Sequence, residues 1–383
     1  MGHPDNDKET RLPGRPVSRR RFLETVGALT AGALLAHCAP KSTSEVAAPQ
    51  TVAPTPRPIA KSSKVAIAKA DSYDRKVIEQ TLTDMLDGLG GLSDIVRPGD
   101  RVLIKTNLTG GTSSRTPSGY TAMETFVTHP EVVRALGAAV RDAGAKEVFI
   151  VESVYEWDSY RLWGYEDIAG GIDAQLIDLN GTDPYGDYVD HAVPGGGEIY
   201  TAYKFNRLLE ETHVFMSVAK MKCHLTAGVT HAMKNLVGLV PARFYKLTQN
   251  VSHRSAFHGP DEASAGYRIP RIIVELNKAR PIHFALIDGI KTTEGGEGPW
   301  VNGMAPISPG VLFAGKNALA TDAVATAAQG FDPTAASMTS PFIRCDNYLT
   351  LAAEAGLGTN RLDEIEVVGA SIDDVRYPFK PCQ

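Results

Sequence analysis

The chain has 383 residues, 43% hydrophobic and 22% charged, with a formal net charge of −5. Those values describe a globular protein with apolar content for one large or two moderate domains. The acidic balance excludes a general nucleic-acid binder, which needs a broad basic footprint. Beyond Cys38 the three cysteines Cys223, Cys345 and Cys382 make no disulfide framework, with one bridge possible, and the absence of a CxxC pair leaves a zinc ribbon and an iron–sulfur ligand run unsupported.

The first stretch reads as an address, not as fold. Ser18-Arg19-Arg20-Arg21-Phe22-Leu23 resembles the twin-arginine export signal, with Glu24 where that pattern prefers Lys. An uncharged Ala/Gly/Leu run from Thr25 to Ala36 follows, too short for an ordinary membrane span and suited to a signal h-region. Leu35-Ala36-His37-Cys38 resembles a lipoprotein processing box, with His37 in place of its small residue. Lipidation of Cys38, a cleaved soluble form and an uncleaved anchor stay open at this point. Removal of residues 1–38 would move the net charge from −5 to −7. Residues 39–63 are rich in Pro, Ser, Thr and Ala and have the composition of a tether. The expectation is a protein handled by the twin-arginine machinery and placed in the periplasm or on the outer face of the cytoplasmic membrane. Residues 64–380 would form its α/β domain, single or in two lobes.

From Lys64 the periodicity alternates between strands and helices. Lys64 to Ala70 predicts a strand and Arg75 to Leu89 a helix, with Val77, Ile78, Leu82, Met85 and Leu86 on one stripe. Arg101 to Leu108 predicts a strand that carries Lys105 and Asn107 at its end. Thr128 reads as the N-cap of a helix over Pro130 to Ala143, and Glu147 to Val151 as the next strand, ending at Glu152. Strand, helix and strand at this spacing make a βαβ unit. A mostly parallel sheet flanked by helices in Rossmann-like layers follows. Ala174 to Leu179 is a further strand, Asn180 to Thr201 reads as irregular, and Ala242 to Tyr267 as a long loop or lid holding His253 and His258. Ile269 to Lys278 is a helix and Ile282 to Ile287 a strand ending at Asp288-Gly289. Thr292 to Gly303, with Glu294 and Glu297, is too Gly-rich for regular structure. Gly310 to Ala314 and Glu364 to Gly369 are strands; Leu319 to Gly330, with Asp322 in its first turn, and Tyr348 to Ala355 are helices.

The stretch Val218 to Pro241 concentrates the chemistry. It holds Lys220, Lys222, His224, His231, Lys234 and Asn235 and no acidic residue. The apolar run His213 to Val218 leads into it as a buried strand, and alternation puts Lys220 and Lys222 on one face. From Val229 the spacing predicts a helix ending before Pro241, with His231, Lys234 and Asn235 on one side. A strand end followed by a helix N-terminus is where open α/β sheets bind ligands, and the helix dipole there favours anions.

Five pieces in order carry a resemblance: VRPGDRVLIKTNL, THPEVVRALGAAVRDAGAKEVFIVES, KMKCHLTAGVTHAMKNLVGLVP, LIDGIKTTEGGEGP, and ATDAVATAAQGFDP followed by AEAGLGTNRLDEIEVVG. Together they resemble the family named domain of unknown function 362, from about Lys64 to about Phe379. The resemblance implies an α/β fold and supplies neither an activity nor a cofactor.

The residues themselves allow two mechanisms. In one, an anion-accepting site built on Lys105, Lys220, Lys222, Lys234 and Asn235, with Asn107, Glu297 and Asp322 around it, holds a carboxylate- or phosphate-bearing molecule. His224 or His129 then acts as general acid or base, beside Glu152 and Asp288. In the other, His129, His224 or His231 joins Asp288 or Glu297 around a metal or metal-containing cofactor. A third class is a lipid-anchored solute-binding protein without catalysis.

Overall fold

Adjacent residues of the central strands point to opposite faces, and both faces are apolar. In Arg101–Lys105, Val102 and Ile104 pack on one side and Leu103 on the other, all of them buried. Such a strand is stable only in the middle of a three-layer sandwich. The computed structural model describes residues 63–248 and 253–382, so the signal and all but the last residue of the tether expected over residues 1–63 lie outside the described residues. The described residues belong to one compact unit, Val52–Gln383.

In chain order the elements are β1 (Val65–Lys69), α1 (Arg75–Gly88), β2 (Arg101–Lys105), α2 (Pro130–Asp142), β3 (Glu147–Glu152), α3 (Asp158–Leu162), α4 (Tyr165–Gly171), β4 (Ala174–Asp178), β5 (Tyr188–Ala192) and β6 (Ala202–Asn206). They continue with β7 (Val214–His224), β8 (Gly228–Thr230), α5 (Ser255–His258), α6 (Glu262–Ala279), β9 (Phe284–Glu294), β10 (Ala305–Ile307), β11 (Val311–Gly315), α7 (Ala318–Ala328), α8 (Tyr348–Glu354) and β12 (Val367–Gly369). The main sheet has the order β12-β1-β11-β9-β7-β2-β3-β4. Along this path only β11 runs antiparallel to its neighbours. One face packs against α1, α2 and α4 through Ile78, Leu82, Val133, Leu136 and Ile168. The other packs against α6, α7 and α8 through Ile269, Ile273, Val324 and Leu349. The α/β fold with a mostly parallel sheet is therefore present, and no helix among the described residues is long and apolar enough to cross a membrane.

Several boundaries differ from the sequence expectation. β7 and β9 are both 11 residues long. Lys220, Lys222, His224 and Asp288 lie inside these strands, not past their ends, and Asp288-Gly289 is not a turn. The α-helix expected from Val229 to Val240 is absent. Gly228 to Thr230 turn back to pair with β7, and a six-residue 3₁₀ turn, Lys234–Leu239, follows. The Asp322 carboxylate takes the backbone N–H groups of Ala232 and Met233, at 2.9 and 3.0 Å, so tertiary bonds replace the helical ones. The α-helix N-terminus expected after β7 is thus replaced by a 3₁₀ turn. His129, not Thr128, caps α2, its Nδ1 accepting from the Glu131 N–H. The segment read as irregular contains β5, which pairs with β6 just past its end, where alternate residues Tyr203 and Phe205 are buried.

Candidate functional site

The C-terminal ends of β2, β3 and β7 converge on a cavity of about 520 Å³. At its floor Lys105, from the end of β2, meets Glu152, from the end of β3. The Lys105 ammonium lies 2.8 Å from the Glu152 carboxylate and also donates to Thr106 O at 2.6 Å and Asn235 Oδ1 at 3.1 Å. Glu152 accepts two more bonds, from the backbone N–H groups of Leu108 and Ser153. Burial pushes Lys105 below its ordinary value while Glu152 pulls it back. Gly238 lets the 3₁₀ turn lie on this pair: a Cβ there would stand 2.5 Å from Glu152 Oε1 and 2.7 Å from Lys105 Nζ.

Above this floor, cations outnumber uncommitted carboxylates. Lys222, His224 and Lys234 line the cavity with Arg254, His253 and His258. Among the described residues the Lys222 ammonium has one bond, to Phe126 O at 2.8 Å. Burial, then the charge of Lys234, pushes Lys222 down to about 7. Lys234 makes no hydrogen bond or ion pair among the described residues; burial, opposed by Glu297 and aided by Lys105 and Arg254, brings it to about 8. The Arg254 guanidinium donates to Val240 O and lines the cavity. The second carboxylate, Glu297, is occupied by Leu225 N–H and Trp300 Nε1–H, both at 3.2 Å. Two polar oxygens lining the cavity, Thr230 Oγ1 and Asn107 Oδ1, are buried without a partner among the described residues.

His224 is fixed in one tautomer. The backbone N–H of Thr226 donates to its Nδ1 at 3.1 Å, which leaves the ring proton on Nε2. Burial and the surrounding Lys234, His258 and Lys222 hold the ring well below the ordinary histidine range, so it is a neutral donor at pH 7.

The structure gathers Lys105, Asn107, Glu152, Lys222, His224, Lys234, Asn235 and Glu297 around one cavity. It sets Lys220, Asp288, His129 and Asp322 outside its lining. Lys220 pairs with Asp288 at 2.8 Å in direct cross-strand register. Asp288 also accepts from Tyr73 O–H at 2.8 Å and His129 N–H at 3.0 Å. The His129 ring stacks on Tyr73 at 3.7 Å, and burial brings it down to about 4. Asp322 lies beneath the Ala232–Met233 turn and accepts from Tyr348 O–H; burial raises it to about 7. Glu294 faces the C-terminal segment through Lys380. His231 packs against Thr326, away from His129 and His224. Of the residues in the metal reading only His224 and Glu297 share the cavity, while His129, His231 and Asp288 lie outside its lining, and no group of three or more metal-ligating side chains occurs among the described residues.

Sequence reasoning passed over Arg254, Trp300 and Tyr155, and left His253 and His258 as ordinary loop residues. The basic and aromatic run 253–258 was the visible signal. Its approach to the Lys234 turn is a tertiary contact that no local pattern encodes.

The family model for "Domain of unknown function (DUF362)" matches residues 102–327. The chain belongs to this DUF362 family. The matched span contains every cavity residue named above. Among curated proteins, the "Thylakoid-associated protein sll1697" of Synechocystis sp. is 27% identical over 297 residues, covering 72% of this chain and 83% of that protein. Among solved structures, the lactate racemase apoprotein from Thermoanaerobacterium thermosaccharolyticum is 12% identical at a TM-score of 0.36 over 66% of this chain. A Thermotoga maritima protein is 14% identical at a TM-score of 0.33 over 62%. The chain spans about half the length of each, 54% and 55%.

Proposed function

We propose that this DUF362 protein is an enzyme that binds a small carboxylate- or phosphate-bearing molecule in the cavity and moves a proton on it. One observation carries the reading: positive charge in the cavity is uncommitted while its carboxylates are committed. Lys234 has no protein partner among the described residues, whereas Glu152 is held by Lys105 and two N–H groups and Glu297 by Leu225 and Trp300. Lys234 is half-buried beside Lys105 and Arg254, and a ligand that brings an anion relieves the repulsion among these cations. The roles divide by protonation. Lys234 and Arg254 hold the anionic group. His224 donates its Nε2–H to a developing oxyanion and cannot act as a base in this tautomer. Lys222, neutral above about pH 7, is the base.

Calorimetric titration of the purified protein with inorganic phosphate and with pyruvate tests this. Binding should weaken with rising salt, and should weaken as pH rises through about 8, where Lys234 loses its proton. Lys234→Ala should lose about tenfold or more in affinity, the scale of one charge-assisted contact. Affinity unchanged in that variant would refute the anion site. Binding with no turnover of any carboxylate or phosphate ester would move the protein to a solute-binding role.

The twin-arginine-like SRRRFL stretch and the Pro/Ser/Thr tether support export, with Cys38 as the residue that a lipoprotein signal would anchor. The name of the Synechocystis relative associates that protein with thylakoids. Cell fractionation of the wild type and of the Arg19→Lys/Arg20→Lys/Arg21→Lys variant tests export. Equal periplasmic yield from both would exclude this route.

A further inference from the structure

We propose that Lys222 is a nucleophile as well as a base, and that it forms an imine with the carbonyl carbon of a small aldehyde or ketone bearing a carboxylate or phosphate. This rests on the anion-accepting cavity proposed above and names its substrate class.

The argument begins with three buried lysines on neighbouring strands. Lys105, Lys220 and Lys222 are each no more than 1% exposed. Lys105 and Lys220 each hold a carboxylate at 2.8 Å. Lys222 holds none among the described residues. Its register partners are Thr230 on β8 and Thr293 on β9, both neutral, and its single bond goes to a carbonyl oxygen. A buried ammonium so placed has one carbonyl bond and the distant pull of Glu297 to set against lost hydration, and the nearby Lys234 charge disfavours it further. The neutral amine that results uses one N–H on Phe126 O and keeps its lone pair for the cavity that it lines. A desolvated lysine beside a second cation is a recurrent way to make an amine nucleophilic at neutral pH.

The remaining groups suit the steps. Nζ attacks the carbonyl carbon, a C–N bond forms, and the carbonyl pair moves onto oxygen, which takes the proton released by nitrogen. The carbinolamine hydroxyl then leaves as water, with one proton from solvent, and a protonated imine remains. Thr230 is 2% exposed, lies directly across from Lys222, and its hydroxyl has no partner among the described residues; it is placed to pass the proton. The His224 Nε2–H is placed to hold the carbonyl oxygen. The imine creates a positive charge where a neutral amine stood, and the substrate's own anion, not a protein carboxylate, balances it. That is why an anionic carbonyl compound is favoured over an uncharged one.

The test is reductive trapping. The purified protein is incubated with sodium cyanoborohydride and pyruvate, dihydroxyacetone phosphate or acetone, followed by intact mass and peptide mapping. One of the two anionic probes should leave an adduct on Lys222, about tenfold faster than acetone. Labelling should speed up as pH rises through about 7, be slowed by inorganic phosphate, and vanish in Lys222→Met with surface lysines unchanged. Thermal unfolding of that variant verifies that it folds. No adduct at Lys222 from either anionic probe, where phosphate still binds, overturns the nucleophile and leaves the anion site standing. Equal labelling of Lys222 by acetone and by the anionic probes overturns the substrate class and the anion site together.

Discussion

Lys220 and Lys222 sit two residues apart on the same face of β7, and both are buried. Lys220 has Asp288 opposite it on β9, with Tyr73 and Met123 O completing its shell at 3.0 and 2.7 Å. Lys222, beyond an irregularity in the same ladder, has Thr293 opposite it and faces the cavity. Residue type, strand and burial are the same; the register partner differs. The first lysine is a fully bonded structural cation. The second is held in a state that a ligand or a reaction can complete.

The largest effect expected from breaking this contrast is at Asp288. Asp288→Asn leaves the Lys220 ammonium buried beside a neutral amide, and loss of one partner of a buried pair costs about 3–5 kcal/mol. Urea unfolding at pH 7 should read that loss, and a change below about 1 kcal/mol would mean that Lys220 is already neutral there. The double variant Lys220→Met/Asp288→Leu should recover only part of it, because the stranded charge is gone while the Tyr73 O–H and His129 N–H donors lose their acceptor. Gly238→Ala comes next. Its methyl group would overlap the Lys105–Glu152 pair, so about 1–3 kcal/mol of strain is expected, together with weaker phosphate binding. Full stability and full affinity would show that the turn shifts freely.

At Lys222 the sign reverses. Its folded value of about 7 lies below the ordinary 10.5, so the unfolded chain binds the proton more tightly. Wild-type stability contributed by this group therefore rises with pH between about 7 and 10.5, and the penalty is greatest below about 7. Lys222→Met should raise the melting temperature, most at pH 6 and progressively less toward pH 10. A variant less stable than wild type at pH 6 would show that Lys222 has a stabilising partner.

The layers were legible because α1, α2 and the first strands are strongly periodic: the stripe Ile78, Leu82, Met85 and Leu86 is the buried face of α1. The concentration of basic residues in Val218 to Pro241 pointed to the cavity. The split between Lys220 and Lys222 was not legible, because alternation gives the face and not the register. The Val229–Val240 helix was a sound periodic reading that Asp322, some 90 residues later in the chain, overrides through two backbone N–H groups. Arg254 and Trp300 were missed because they reach the cavity from loops with no period of their own.

The smallest effect sharpens the same comparison. Lys291 and Glu124 form an ion pair at 2.7 Å close to Lys220, with side chains 35% and 25% exposed. Its separation matches the 2.8 Å of the buried Lys220–Asp288 pair. If separation set the energy, Glu124→Gln and Asp288→Asn would be equally damaging. Water decides otherwise: the partly exposed pair gains little over its hydrated parts, and its removal leaves no group stranded. Glu124→Gln should therefore cost about 0–1 kcal/mol and lose that cost in high salt, whereas the loss at Asp288 should be nearly independent of salt. Equal salt dependence in the two variants would mean that solvent reaches Lys220, and the distinction between the two lysines of β7 would fail at its root.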